Sequence, residues 1–424
     1  MNPRQNPPRR SSPRRLLRAA AIAEAAGMQT APGAVLVEGS RIIAAGSPQS
    51  IGPIADAVLE EHPDSIIIPG LVNAHAHLDL THIGPQPFDG DFTTWVDGVR
   101  AGRARTDEGI AAAVLEGVRL LRVGGTAMVG DIAGVRSTVP TVALRKSGMA
   151  GVSFFEIFGV GRTQATAIEV MRAAAQSVAC VERGVRFGMQ PHAPYSCGPE
   201  VYRAAASLGL PLATHLAETR DELTFIEQGE GPLADMLKRI GVWDDSITGF
   251  GVHAIEHVLG LIGKHPFISA HLNFLDDRHL ALLAKSRITI AYCPRASAYF
   301  GHRDHRYREM LAAGVNVALG TDSILCLNTS DRISTLDEMR WLHQRDGTNV
   351  FDLLRMATTS GAHALGMRES LVTLAPGESA GLLALAIDSS SPASSSDALH
   401  QALLRDDAPK WIVGPFAGDD GWFQ

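Results

Sequence analysis

The sequence predicts an α/β protein, a (β/α)8 TIM-like barrel with a small composite β domain built from both chain ends. Three observations predict it. Eight apolar segments alternate with Ala/Leu-rich amphipathic stretches between residues 68 and 370, the count of strand and helix units that closes such a barrel. Short β-type segments stand before and after that alternation, at 14–67 and 371–424. Histidines and carboxylates follow directly on the apolar segments, at the pole where barrel active sites are built.

Length and composition allow this architecture. The chain has 424 residues, 45% of them apolar, enough for one large barrel and an accessory domain. A formal charge of -7 is mild and argues against nucleic acid or an acidic membrane surface as a partner. A small, near-neutral substrate is expected, with a homo-oligomer left open. No stretch approaches the ~18 uninterrupted apolar residues of a membrane span. Cys180, Cys197, Cys293 and Cys326 form no C-x-x-C pair, which argues against a zinc finger or a disulfide framework and for buried, reduced thiols. The clustered arginines near the start precede an apolar stretch, but Arg18 and Glu24 interrupt it. An export signal is therefore not expected, and a cytoplasmic location is.

In chain order, residues 1–13 are rich in Pro, Arg and Ser and are expected to be a disordered basic tail. LLRAAAI, GAVLVEG and RIIAAG read as strands of the small β domain. The run Ile66 to Val72 reads as one buried strand leading into His75 and His77. The remaining strands fall at 124–133, 149–159, 185–196, 210–219, 266–276, 287–296 and 315–324. Segments such as EGIAAAVLEGVRLLRVG and RHLALLAKS supply the helices between them. SAGLLALAI and KWIVGPF return to β character, split by a Ser-rich surface turn at 389–396.

The chemistry starts from His75 and His77. Alternate residues of an extended chain point the same way, so the two imidazoles leave the strand end together and can share one metal ion. Strand four ends in His192, strand five in His215 and Glu218, strand six in His271 and strand eight in Asp322. Buried groups of this kind converging on one pole are costly unless they coordinate something. Imidazoles with one carboxylate suit a single divalent ion, Zn2+ first with Fe2+ as competitor. Such an ion lowers the pKa of a bound water towards ~7 and yields hydroxide near neutral pH. Asp322 can bind the ion and accept a proton from that water. Glu218, beyond the strand end, can reach the substrate and shuttle a proton to a ring nitrogen. His271 can orient the hydroxide, and His192 can contact the substrate.

PGLVNAHAH, PHAPYSC, THLAETRDE, SAHLNFLD and LGTDS occur in that order. Together they resemble the amidohydrolase superfamily, in the branch of cytosine, guanine and adenosine-type deaminases and triazine hydrolases. DFTTWVDGVRAGRA, YCPRASAYFGH and GVNVALGTDSILC look most like aminodeoxyfutalosine deaminases. The resemblance implies His75, His77, His215 and Asp322 as metal ligands, Glu218 as proton shuttle and His271 as partner of the attacking water. Two-metal relatives such as dihydroorotase carry a carboxylated lysine at the end of strand four. Gln190, Pro191 and His192 stand there in this chain, which implies one ion. Many relatives have Ser-Asn after the Cys-Pro pair, where this chain has Arg295, Ala296 and Ser297. The activity expected is deamination of an aminated N-heterocycle of the purine-nucleoside kind by metal-bound hydroxide. The alternatives are the same site with chloride, an alkylamine or a cyclic amide nitrogen as leaving group, and a non-catalytic scaffold.

Three further residues are candidate substrate contacts or pocket walls. His192 is one. Trp95, in the loop after strand one, can close over an aromatic ring or anchor that loop. Glu156 on strand three can face the pocket or pair with an arginine. His302 and His305, after strand seven, can line the pocket mouth or be exposed loop histidines, the commoner case. His82 is expected to support the loop after strand one, Asp131 to fix a neighbouring loop, and His253 and His257 to be surface or packing residues.

Overall fold

The computed structural model describes residues 12–134, 136–388 and 391–424. The expected tail therefore lies, up to residue 11, outside the described residues, as do positions 389 and 390 of the Ser-rich turn.

The longer strands are β1 (Arg14–Ala23), β2 (Gly33–Glu38), β3 (Arg41–Gly46), β4 (Ala57–Pro69), β5 (Leu71–Ala76), β6 (Thr126–Ala133), β7 (Ala150–Ile157), β8 (Val185–Pro191), β9 (Ala213–Leu216), β10 (Phe267–His271), β11 (Ile288–Tyr292), β12 (Asn316–Leu319), β13 (Leu382–Ala386) and β14 (Lys410–Val413). The first four and last two form one sheet in the order β3-β2-β1-β4-β13-β14. Both chain ends thus meet in it: β13 runs antiparallel to β4, with Leu382 opposite Pro69 and Ala386 opposite Ser65.

The strands between form two parallel sheets, β5-β6-β7-β8 and β9-β10-β11-β12. Parallel bridges join them at two seams, Met189 to Leu212 and Ala76 to Asp322. At the first seam His215 N donates to His192 O at 2.8 Å, and at the second Asp322 N donates to His75 O at 3.0 Å. β5, β6, β7, β10 and β11 are buried along their whole length, because parallel strands are covered on both faces. That is why they read in sequence as continuous apolar runs and not as alternation. Val72, Met128, Val152, Phe154 and Ile268 pack together within them, each burial stabilising the fold by roughly 1.5–3 kcal/mol.

The structure corrects four sequence expectations. The single strand expected from Ile66 to Val72 is two strands in two sheets, divided at Gly70. A Cβ there would lie 2.9 Å from Ala127 Cβ and 3.1 Å from Trp411 Cη2, so the chain passes from one sheet to the other where a glycine leaves room for those two side chains. Trp95 lies in a helix, Phe92–Gly102, whose N-cap Asp91 accepts from Thr93 N and Thr94 N. The end of the Ser-rich turn starts a helix, Ser395–Leu404, capped by Ser394. Cys180 is exposed, whereas Cys197, Cys293 and Cys326 are buried. No helix of the described residues is long and apolar enough to cross a membrane.

Candidate active site and metal centre

The side chains that end the parallel strands converge. His77 Nε2 lies 3.2 Å from His215 Nε2 and 3.5 Å from Asp322 Oδ1. One ligand atom each from His75, His77 and His215 falls within 4.8 Å of the others, and the same holds for Glu218, His271 and Asp322. All six residues are buried. Glu218 Oε1 stands 3.4 Å from His271 Nε2.

Local structure aims these groups. Asn73, two residues before His75 and on the same side of β5, accepts from His75 N at 3.2 Å and donates to Thr321 Oγ1 at 2.7 Å. It ties the first parallel strand to the residue before Asp322. His271 (φ 71°) and Asp322 (φ 58°) hold left-handed backbone, a conformation that costs a non-glycine residue about 1–3 kcal/mol and collects at functional sites. His215 Nδ1 donates to His192 O at 2.9 Å, so its Nε2 presents a lone pair to the cluster. Glu222 accepts from Ala217 N at 2.7 Å and Glu218 N at 2.9 Å. Asn273 Nδ2 donates to Glu218 O at 3.0 Å, and Ser297 Oγ donates to Asn273 Oδ1 at 2.9 Å.

The electrostatics call for a cation. Burial pushes His75, His77 and His271 well below the ordinary imidazole range and brings His215 down to about 4. Burial, then the charges of Asp322 and Glu222, push Glu218 well above the carboxylate range. Burial likewise raises Asp322 to about 7. His75 Nε2, His77 Nδ1 and His271 Nε2 are buried without a hydrogen-bond partner among the described residues. Neutral imidazoles with unpartnered nitrogens beside carboxylates form a donor set that fits one divalent ion, whose charge offsets the desolvation of the whole cluster.

A cavity of about 490 Å³ opens over the cluster, floored by His77, His215, Glu218 and Asp322. One wall is the helix carrying Phe92, Trp95, Val96 and Val99; Met236 and Leu237 of the helix Pro232–Arg239 form another. Trp95 both lines the cavity and anchors its helix, donating from Nε1 to Tyr299 Oη at 3.0 Å. His192 lines it too, with Nδ1 2.7 Å from Ser196 Oγ and its ring stacked on Phe158. Glu156 faces the cavity and pairs with an arginine: Arg103 Nη2 donates to Glu156 Oε2 at 3.3 Å while its Nη1 reaches Asp79 Oδ2 at 2.6 Å. Burial raises Glu156 to about 7 against the opposing charge of Arg103.

The residues expected as metal ligands, proton shuttle, water partner and substrate contacts therefore lie in or around one cavity. His302 and His305 do not line it. His305 lies buried behind it, where Nε2 donates to His271 O at 2.7 Å and the ring stacks on Tyr292. His82 Nε2 donates to Gly102 O at 2.9 Å, which supports the loop after β5, and Asp131 Oδ1 accepts from Leu78 N at 3.2 Å. His253 caps a helix and His257 stacks on Phe250. Sequence reasoning missed Asn73, Glu222, Asn273 and Arg103. The alternation that singled out His75 also singles out Asn73, and Thr219 with Glu222 three residues on has the form of a helix start. Nothing local marks Arg103.

A family model for the amidohydrolase family matches residues 66–415. The chain belongs to the amidohydrolase family. This amidohydrolase is 28% identical to the aminodeoxyfutalosine deaminase of Deinococcus radiodurans over 380 residues, 84% of this chain and 86% of that one. It is 30% identical to the 5-methylthioadenosine/S-adenosylhomocysteine deaminase of Moorella thermoacetica over 345 residues, 78% and 75% of the two chains. Among solved structures, the aminofutalosine deaminase of Helicobacter pylori in complex with methylthio-coformycin superposes with a TM-score of 0.79 at 18% identity, covering 95% of this chain and 99% of that one. An adenosine deaminase from Xanthomonas campestris with bound zinc gives 0.73 at 20% identity, covering 96% and 94%. The amidohydrolase has the α/β fold of these two proteins.

Proposed function

We propose that this amidohydrolase is a metal-dependent aminohydrolase that releases ammonia from an aminated N-heterocycle of the purine-nucleoside kind. The observation that carries the reading is the approach of Glu218 Oε1 to His271 Nε2, 3.4 Å apart, beside Asp322 and the three-histidine cluster, under a largely apolar cavity. Relatives that act as deaminases of aminodeoxyfutalosine and of 5-methylthioadenosine/S-adenosylhomocysteine support it.

In this reading His75, His77, His215 and Asp322 would hold one ion, Zn2+ in first place and Fe2+ in second. When bound, such an ion would supply a water acidified towards pH ~7 and a counter-charge for the buried carboxylates. Asp322 takes a proton from the water that adds to the amino-bearing ring carbon. Glu218 gives a proton to the adjacent ring nitrogen. A second proton passed to the amine lets ammonia leave and restores the carbonyl form of the ring. His271, held from behind by His305, orients the attacking water. Trp95 and Phe92 cover the ring plane, and His192 and Glu156 contact the substrate. We read the two parallel sheets as one (β/α)8 barrel over 68–370, which their hydrogen-bonded seams support. We read residues 14–67 with 371–424 as the accessory domain, which the shared sheet of both chain ends supports.

The test is ammonia release by metal-replete protein over aminodeoxyfutalosine, adenosine, S-adenosylhomocysteine, guanine and cytosine. Turnover of one compound, lost in Glu218→Gln, is expected. Silence across the panel with metal bound would overturn the deaminase reading.

A further inference from the structure

The catalytic groups end the parallel strands, and the starts of the same strands open on a second cavity of about 620 Å³. Arg186 at the start of β8 and Arg287 just before β11 line it. Arg186 is half-buried, with Cζ 4.4 Å above the centre of the Phe423 ring. Neither guanidinium has a hydrogen bond or an ion pair among the described residues, and no Asp or Glu is among the residues lining the cavity. The other basic side chains there are occupied: His265 Nε2 donates to Leu210 O at 3.1 Å and His363 Nδ1 pairs with Glu369 Oε1 at 3.1 Å.

Two guanidinium groups lining one concavity, Arg186 half-buried and Arg287 exposed, with no carboxylate beside them, give it a positive potential that favours an anion. Stacking on Phe423 uses the face of Arg186 and leaves its N–H edge free, the edge that grips a carboxylate or phosphate with two parallel bonds. Gly366 keeps that side open, because a Cβ there would lie 3.1 Å from Arg186 Nη1. Phe154, Leu212 and Leu365 give the cavity apolar walls, and its volume is that of a site for a small organic molecule.

We propose that this cavity at the strand starts is a second ligand site, one that takes a small organic oxyanion, phosphate or carboxylate, clasped by Arg186 and faced by Arg287. Its occupant bridges the starts of β8 and β11, which belong to the two different sheets, and so stabilises the folded chain.

The experiment is titration of the metal-loaded protein with inorganic phosphate, phenyl phosphate and benzoate at constant ionic strength, read by calorimetry and by thermal unfolding. Saturable binding with a raised Tm is expected, with the phosphate and benzoate arms telling the two oxyanions apart. Arg186→Gln is expected to weaken that binding at least tenfold and Arg287→Gln severalfold, with ammonia release unchanged in both. Should Arg186→Gln fail to fold, Arg186→Lys keeps the charge, loses the two-pronged grip and is expected to weaken binding as well. Binding equally strong in the Arg186 and Arg287 variants, as an anion resting on the metal centre would give, overturns the proposal. So does a response that never saturates.

Discussion

His77 and His215 are 138 residues apart in the chain, yet their Nε2 atoms lie 3.2 Å apart. Two buried imidazole nitrogens at that distance, with Asp322 Oδ1 3.5 Å from the first, form a donor set that a shared cation would hold. One ion per chain is expected by metal analysis, lost in His77→Ala and in His215→Ala together with activity. An ion present at a hundred times its dissociation constant stabilises the fold by about 2.7 kcal/mol, so chelation is expected to lower Tm. Full metal content in both variants would remove these histidines from the ligand set.

Glu218 hangs from a backbone held on both sides, by Glu222 at its N–H and by Asn273 at its carbonyl. Glu218→Gln keeps the shape and removes the transferable proton. A loss of about 10²–10⁴ in kcat is expected, with metal content unchanged. An undiminished kcat would take Glu218 out of the proton path.

Arg295 forms a buried pair with Glu338, which accepts from both Arg295 Nε at 2.7 Å and Arg295 N at 2.9 Å. The pair joins the helix Pro294–Tyr299, which follows β11, to the helix Thr335–Asp346, and both residues are buried. Arg295→Met alone leaves Glu338 uncompensated and is expected to cost about 3–5 kcal/mol in urea unfolding. Arg295→Met with Glu338→Leu recovers most of that loss. A single variant as stable as the parent would show that water reaches the carboxylate.

Glu156 is raised by burial to about 7 from an ordinary value of 4.5. A carboxyl that holds its proton more tightly when folded contributes stability that is fully present below pH 4.5 and lost as pH rises through 7. In the chelated protein, Glu156→Gln is expected to flatten the fall of stability between those values, as read from urea midpoints. An unchanged slope would mean that Arg103 keeps Glu156 ionised through the window.

Burial pushes Cys197 up to about 12 and holds Cys293 and Cys326 well above the thiol range, which suppresses the reactive thiolate. Only Cys180 is exposed. A disulfide-exchange reagent at pH 8 is expected to titrate one thiol quickly in the native protein and four after unfolding. Fast labelling of a second thiol would show that the active-site end of the strands opens in solution.

The amino-acid order by itself determined whatever depends on local period and chemical type. Apolar runs marked all eight parallel strands, and the alternation in Asn73-Ala74-His75-Ala76-His77 put two imidazoles on one side. The residue following each run named Glu218, His271 and Asp322. Tertiary structure alone decided what depends on pairing between distant segments. It divided the run at Gly70, because Ala127 and Trp411 crowd that position from elsewhere in the chain. It turned the Trp95 loop into a helix that walls the cavity, and it set Arg103 between Asp79 and Glu156, contacts 24 and 53 residues apart. It buried His305, a loop histidine in sequence, behind His271, 34 residues away. A side chain's type and spacing limit the bonds it can make; which partner it meets is settled only when burial brings separate strands side by side.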